Sequence, residues 1–254
     1  MSRSRTPLAM RPDPGAAVPE VAMVMAAGLG KRMRPLTAAR PKPLVEVAGK
    51  ALLDHCLDRL RAAGVRKAVV NVHYLADSLE AHLNNRVQGI EIAVSDERAQ
   101  LLETGGGLAR ALPLIDSDPF LVVNSDNLWV DGPLDTLRLL ASGWDPARMD
   151  ALLLLVPHAR AHCHLGQGDF HLTAAGKLRR KKAGSVAPFV YTGIQIVAKR
   201  LFRGELPEGP FSTNILWDRA IEEGRCYGAV HQGLWFDVGA PPNIRQAEEI
   251  LALA

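Results

Sequence analysis

The sequence predicts an α/β fold, with a mostly parallel sheet covered by helices on both faces and a smaller substrate-facing subregion. Three observations carry this. Short apolar runs alternate with segments of helical period from about residue 21 to residue 156. The runs are nearly continuous in Val, Leu and Ala, as strands buried on both faces are. The first run empties into a glycine-rich loop, and sheets of this kind bind their ligands at the carboxyl ends of strands.

Taken in order, Val21 to Ala27 reads as the first strand and Gly28 ends it. Gly30, Pro35, Pro41 and Pro43 stop any helix from crossing the next segment. Leu52, Leu53, Cys56, Leu57 and Leu60 share one helical face, and Gly64 closes that helix. Ala68 to Val72 reads as a strand, Leu75 to Leu83 as a helix and Ile90 to Val94 as a strand. A short helix is expected over Gly107 to Leu112, a strand over Phe120 to Val123, a helix over Leu134 to Leu140 and a strand over Ala151 to Val156. Beyond residue 157 the strands shorten, with candidates at 168–173, 177–182 and 189–197, and with helices over Asn214 to Glu223 and Pro242 to Leu253. Residues 1–19 hold Pro7, Pro12, Pro14 and Pro19 and no apolar core, so they read as a flexible tail rather than a signal peptide. Residues 20–254 then form one domain in two parts, 20–156 and 157–254, the second the smaller substrate-facing subregion.

Composition narrows the function classes. An apolar content of 48 % is ample for a core, and no apolar run approaches the roughly 20 residues that span a bilayer. The net charge of +3 suits a small anion; nucleic-acid binders usually cluster their basic residues on one face. Cys56, Cys163 and Cys226 have neither metal nor disulfide spacing and fit a reducing, cytoplasmic compartment. His162-Cys163-His164 comes nearest to a zinc motif, but the sequence puts no acidic partner beside it.

The informative text is Gly28-Leu29-Gly30-Lys31-Arg32-Met33-Arg34-Pro35, followed by Pro41-Lys42-Pro43. Glycines after a first strand let backbone N–H groups approach an anion. A dinucleotide fingerprint needs a third glycine where Met33 stands. A P-loop needs Ser or Thr after Gly-Lys, and here Arg32 follows Lys31. What remains is G-x-G-x-R-x-x-P with three cations, Lys31, Arg32 and Lys42, suited to a polyphosphate. Two glycines and an arginine alone would equally make a solvated basic turn.

The run Met25 to Thr37, with Pro41 to Leu44 after it, resembles the signature of the sugar-1-phosphate nucleotidylyltransferases, whose fold is Rossmann-like. The resemblance extends over 21–130 and returns at 191–195 and 235–239. It implies that Ala26, Ala27, Gly28, Gly30 and Lys31 bind the nucleotide. It also implies that Arg32 and Lys42 are catalytic, Arg32 holding the pyrophosphate and Lys42 the phosphates at the reacting centre.

Two aspartates extend the pattern. Asp126 follows the apolar run Phe120 to Val123, and Asp237 lies in Trp235-Phe236-Asp237-Val238-Gly239. Read alone, each is better explained as a helix cap or turn former than as a metal ligand. The resemblance implies that both hold Mg²⁺, a cation that takes oxygen ligands and keeps some water and phosphate. Ser125 departs from the glycine that the family carries before the first aspartate.

Glu103-Thr104-Gly105-Gly106-Gly107 precedes the short helix and resembles the subgroup that acts on N-acetylmuramate 1-phosphate, as does Gly168-Asp169-Phe170. Glu103, Thr104, Gly105 and Gly106 are thereby expected to border the nucleotide. Asn124, Gly168, Asp169, Thr192 and Gly193 are expected on the sugar-phosphate side. The family's Glu-Lys-Pro is broken here to Arg180-Lys181-Lys182-Ala183. Lys181 and Lys182 both stay open as the phosphate lysine, and Lys182 is carried forward.

The resulting expectation is a Mg²⁺-dependent transfer of UMP from UTP, or another nucleoside triphosphate, to a sugar 1-phosphate, with no nucleic acid or membrane partner. The alternatives are a mannose-1-phosphate guanylyltransferase and, in another class, a catalytically silent nucleotide-sensing subunit.

Overall fold

A computed structural model describes residues 15–253. The tail expected over 1–19 lies, as far as residue 14, outside the described residues. Ala16 and Val18 beyond it are half-buried against the core.

Strand β1 (Val21–Met25) leads into the glycine loop and two 3-10 turns, Lys31–Met33 and Lys42–Leu44. A hairpin of β2 (Glu46–Val47) and β3 (Lys50–Ala51) precedes α1 (Leu52–Ala62), followed by β4 (Lys67–Val72), α2 (Ala76–Arg86) and β5 (Glu91–Asp96). Then come α3 (Glu103–Ala111), β6 (Phe120–Asn124), β7 (Asn127–Val130), α4 (Thr136–Ser142), β8 (Ala151–Pro157) and β9 (Ala161–His162). The last part holds β10 (Phe170–Leu172), β11 (Leu178–Arg180), β12 (Phe189–Val197), α5 (Asn214–Glu222), β13 (Cys226–Val230), β14 (Leu234–Asp237) and α6 (Pro241–Leu251).

The main sheet runs β13-β8-β12-β6-β1-β4-β5, with β10 and β11 attached at the start of β12. The strands β6, β1, β4 and β5 are mutually parallel, as are β8 and β13. Strand β12 enters antiparallel between β6 and β8, so the second part of the chain is woven into the sheet of the first.

The continuous apolar runs are explained by burial on both faces. Ala22 and Val24 face a core shared with α1, α2 and α4, while Val21 and Met23 face one shared with α3 and α5. In β8, Leu152 and Leu154 go to the first core and Leu153 and Leu155 to the second. Each such side chain contributes about 1.5–3 kcal/mol by leaving water. A third, smaller core under β7, β14 and α6 holds Leu128, Phe236 and Ala247.

One boundary differs in a way that matters. The helix expected from Gly107 begins at Glu103, so the three glycines lie inside its first turns. Helical glycine costs about 1 kcal/mol against alanine, yet a side chain would collide here. A Cβ on Gly105 would lie 2.5 Å from the Phe211 ring, and one on Gly106 would lie 2.8 Å from the Gly209 carbonyl. The glycines serve helix packing, not a loop.

Candidate active site

A cleft of about 390 Å³ opens at the carboxyl ends of the parallel strands. Its walls include Ala26, Ala27, Gly28, Lys42, Glu103, Thr104, Asn124 and Asp126, all anticipated from the sequence. Asn71, Glu97, Ser125 and Ser212 also line it, and sequence reasoning had passed over Asn71, Glu97 and Ser212.

The glycine loop is built to leave donors free. The N–H groups of Gly28, Leu29 and Gly30 make no hydrogen bond among the described residues, and nothing lies within 4 Å of where a Gly28 Cβ would be. Gly30 is left-handed (φ 61°), and a Cβ there would sit 3.0 Å from Thr37 Cγ2 and 3.2 Å from Lys42 Cβ. The Thr37 hydroxyl donates to Gly30 O at 2.8 Å, and Tyr74 donates to Thr37 O at 3.0 Å, which holds the loop over the cleft. A row of unpaired N–H groups flanked by the exposed side chains of Lys31 and Arg32 has the chemistry to cradle an anion.

The start of the loop is pinned from β4. Asn71 Oδ1 accepts from Ala26 N at 2.6 Å and Ala27 N at 3.3 Å. Asn71 Nδ2 donates to Glu97 Oε1 at 2.7 Å, and Glu97 Oε2 accepts from Leu102 N at 3.1 Å. Two buried polar residues thus join the glycine loop to the segment before α3. In that segment Glu103 is left-handed (φ 58°) and exposed at the cleft, a strain of the kind found at functional positions. Thr104 Oγ1 accepts from Thr213 N at 2.9 Å. The N–H groups of Gly105 and Gly106 are both donated to Phe211 O. Both N–H groups are therefore spent within the fold, and Glu103 and Thr104 are the members of the stretch that line the cleft.

The aspartates come together through strand pairing. In the β7–β14 ladder Asp237 stands opposite Asn127, the neighbour of Asp126. Lys42 Nζ lies 2.5 Å from Asp126 Oδ2. The Arg32 guanidinium and Asp237 Oδ1 both crowd the same point, 3.2 and 2.8 Å from where a Gly239 Cβ would be. Burial pushes the Asp237 carboxyl up. The His164 hydrogen bond, with the charges of His164, Arg32 and Lys42, outweighs that and leaves it below the usual carboxylate range. The acidic partner that the sequence did not show for His162-Cys163-His164 is therefore Asp237, whose Oδ2 lies 3.1 Å from His164 Nδ1.

No group of three or more His, Cys, Asp or Glu among the described residues forms a complete metal cage. Two partly exposed carboxylates, Asp126 next to Asn127 and Asp237 paired opposite it, fit a cation that takes the rest of its shell from phosphate and water.

On the sugar side the outcome is mixed. An irregularity in the β8–β12 pairing between Tyr191 and Gln195 throws Gly193 into a left-handed turn (φ 82°) beneath Asn124 and Asn127. The Thr192 hydroxyl donates to Leu154 O at 2.9 Å, and its carbonyl accepts from Trp235 Nε1 at 3.1 Å. Thr192 is buried and spends its side chain inside the fold. Asp169 Oδ2 accepts from Tyr191 N, and Gly168 packs against the Ala187 carbonyl. Arg180 is committed to Asp218 and Asn214, whereas Lys182 is exposed on the turn that Ser185 closes.

Comparison with known proteins identifies relatives of the chain. A family model described as nucleotidyl transferase matches residues 21–162. The N-acetylmuramate alpha-1-phosphate uridylyltransferase of Caulobacter vibrioides is 49 % identical over 239 residues, 93 % of this chain and 98 % of that protein. The protein of the same name from Neisseria meningitidis serogroup B is 36 % identical over 90 % of this chain and 97 % of its own length. A mannose-1-phosphate guanylyltransferase catalytic subunit beta of Danio rerio is 30 % identical over 87 % of this chain, but only 62 % of that protein is matched. The inositol-1-phosphate CTP transferase from T. maritima has the same fold, with a TM-score of 0.74 over 94 % of this chain and 96 % of that one at 19 % identity.

Proposed function

The chain belongs to the nucleotidyl transferase family, and on that premise we propose that it transfers UMP from UTP to N-acetylmuramate 1-phosphate, releasing UDP-N-acetylmuramate and pyrophosphate. The observation that carries the reaction is the meeting of Lys42, Asp126 and Asp237 beside a loop of free N–H groups. The substrate pair is supported by the likeness to two uridylyltransferases along nearly their whole length. The guanylyltransferase is more distant and longer. Retention of Arg32, Lys42, Asp126 and Asp237 speaks against a silent nucleotide sensor. Such a reaction would serve the recovery of cell-wall sugars in the cytoplasm.

The chemistry follows from the parts. An oxygen of the sugar phosphate attacks the α-phosphorus of UTP, and the bond to the bridging oxygen of the β-phosphate breaks. The nucleophile is anionic at neutral pH, so no general base is required. The barrier is charge repulsion and in-line alignment, which positioning and fixed cations lower. The loop N–H groups and Arg32 hold the β- and γ-phosphates that leave together. Lys42 moves from Asp126 to the phosphates between which the bond forms and breaks. Glu103, Thr104 and the Asn71–Glu97 pair fix the nucleoside end, while Asn124, Gly193, Asp169 and Lys182 shape the sugar-phosphate side. Asp126 and Asp237 would hold Mg²⁺, which when bound would offset the charge repulsion between the two phosphates.

The test is pyrophosphate release with UTP, GTP, CTP and dTTP crossed with several sugar 1-phosphates. Release that is fastest with UTP and N-acetylmuramate 1-phosphate is expected. Release confined to GTP and mannose 1-phosphate would overturn the substrate pair.

A further inference from the structure

His164 lies in a loop whose shape brings its ring back over the end of β14. The preceding residue, Cys163, is left-handed (φ 62°), a conformation that non-glycine residues adopt at a cost. The loop is clamped in that shape. Asn243, at the start of α6, donates from one amide to Cys163 O at 3.2 Å and to Asp237 O at 2.8 Å. The ring packs against Trp235 and edge-on to His158, with centroids 6.1 and 6.2 Å away. On its far side a Cβ at position 166 would lie 2.3 Å from His164 Nε2, so only Gly166 lets the loop close. These features converge on one contact, from His164 Nδ1 to Asp237 Oδ2 at 3.1 Å. A carboxylate can only accept, so Nδ1 carries the hydrogen.

We propose that His164 is a positioning residue for Asp237: its Nδ1–H takes Oδ2, fixing the carboxylate in one rotamer with Oδ1 left for the divalent cation. The inference rests on the assignment of the cation to Asp126 and Asp237 above. The single Nδ1–H of the imidazole takes one carboxylate oxygen and leaves the other free, while the charges of Arg32 and Lys42 act on Asp237 without a hydrogen bond to it. The two aspartates are therefore treated differently. Asp126 is paired with the Lys42 ammonium, and Asp237 is held by the His164 N–H.

The experiment is calorimetric titration of Mn²⁺ into the full chain with a non-hydrolysable UTP analogue bound, for wild type, His164→Phe, His164→Asn and Asp237→Asn. Phe keeps the ring packing and removes the donor; Asn puts an amide N–H near the place of Nδ1. Groups that orient metal ligands typically contribute about 10- to 100-fold in metal affinity, and a loss of that size is expected in His164→Phe, with most of it recovered in His164→Asn. Thermal unfolding of each variant checks the fold, and His164→Ala replaces the Phe variant in the same comparison if Phe does not fold. Wild-type Mn²⁺ affinity in the donor-free variant alongside weakened binding in Asp237→Asn would overturn the role of His164. An equal loss in the Phe and Asn variants would overturn the hydrogen bond as its cause. Wild-type affinity in Asp237→Asn would instead overturn the cation assignment itself, and this proposal with it.

Discussion

Lys42 and Asp126, 84 residues apart, form an ion pair at 2.5 Å in which the lysine side chain is the more buried partner. The buried prolines Pro41 and Pro43 flank Lys42 and fix the backbone that carries it. Removing a fixed charge aimed at the reacting centre typically costs about 10²–10³ in kcat. Lys42→Ala is expected to lower turnover by that order, measured by pyrophosphate release, with the unfolding midpoint nearly unchanged. Asp126→Ala should likewise abolish turnover in a folded protein. Full activity in either variant would remove the residue from the reacting centre.

Asn71 and Glu97 sit beneath the cleft with almost no exposure and satisfy each other. Asn71→Leu would leave Ala26 N–H and Glu97 Oε1 without partners. Each buried polar group left unpaired costs about 1–3 kcal/mol. Denaturant unfolding should show a loss of that order, and KM for the nucleoside triphosphate should rise because both walls of its site share this strut. Unchanged stability and KM would show that the pair is idle.

The parallel half of the sheet was legible because doubly buried strands are written as unbroken apolar runs, Val21 to Ala27 and Phe120 to Val123 among them. The strands β7, β13 and β14 were not foreseen. They are short, and the β7–β14 ladder joins segments more than a hundred residues apart, which no local pattern encodes. The same holds for the site. The glycine loop and the aspartates announce themselves in short motifs. Asn71, Glu97 and the His164 partner act through contacts of 26 to 73 residues' separation, and in sequence they look like an ordinary strand residue, a loop acid and a surface histidine. Gly105 and Gly106 hid the start of α3 for a related reason. A glycine demanded by close packing reads the same as one demanded by a loop.

Two glycine substitutions separate folding from binding. At Gly193 a Cβ would lie 2.5 Å from Asn127 Nδ2 and 2.7 Å from Asn124 Nδ2, on a left-handed backbone. Gly193→Ala should lose at least about 1–3 kcal/mol from backbone strain and displace both asparagines, seen as a lower unfolding midpoint together with lost activity. At Gly28 a Cβ would meet nothing and the backbone is not left-handed. Gly28→Ala should unfold at the wild-type midpoint yet bind the triphosphate more weakly, because the methyl group enters the anion cradle. A fall in the unfolding midpoint of Gly28→Ala would show that the loop is built for folding rather than for the ligand.

His231 gives the stability a pH dependence of definite sign. Burial is the main influence and lowers its pKa below the usual value of 6.5, against the opposing pull of the Leu234 carbonyl and the Asp131 charge. The neutral ring donates from Nε2 to Leu234 O at 3.0 Å. Above pH 6.5 the ring is neutral in both folded and unfolded chains and makes no difference to their balance. As the pH falls below 6.5 the unfolded chain takes up the proton first, so stability is lost from there down to the lower folded pKa. His231→Gln retains an N–H for the Leu234 carbonyl but cannot titrate. Between pH 7.5 and 5.5 the unfolding midpoint of the wild type should therefore fall further than that of the variant. Parallel curves for the two proteins would show that this imidazole is not held neutral by the fold.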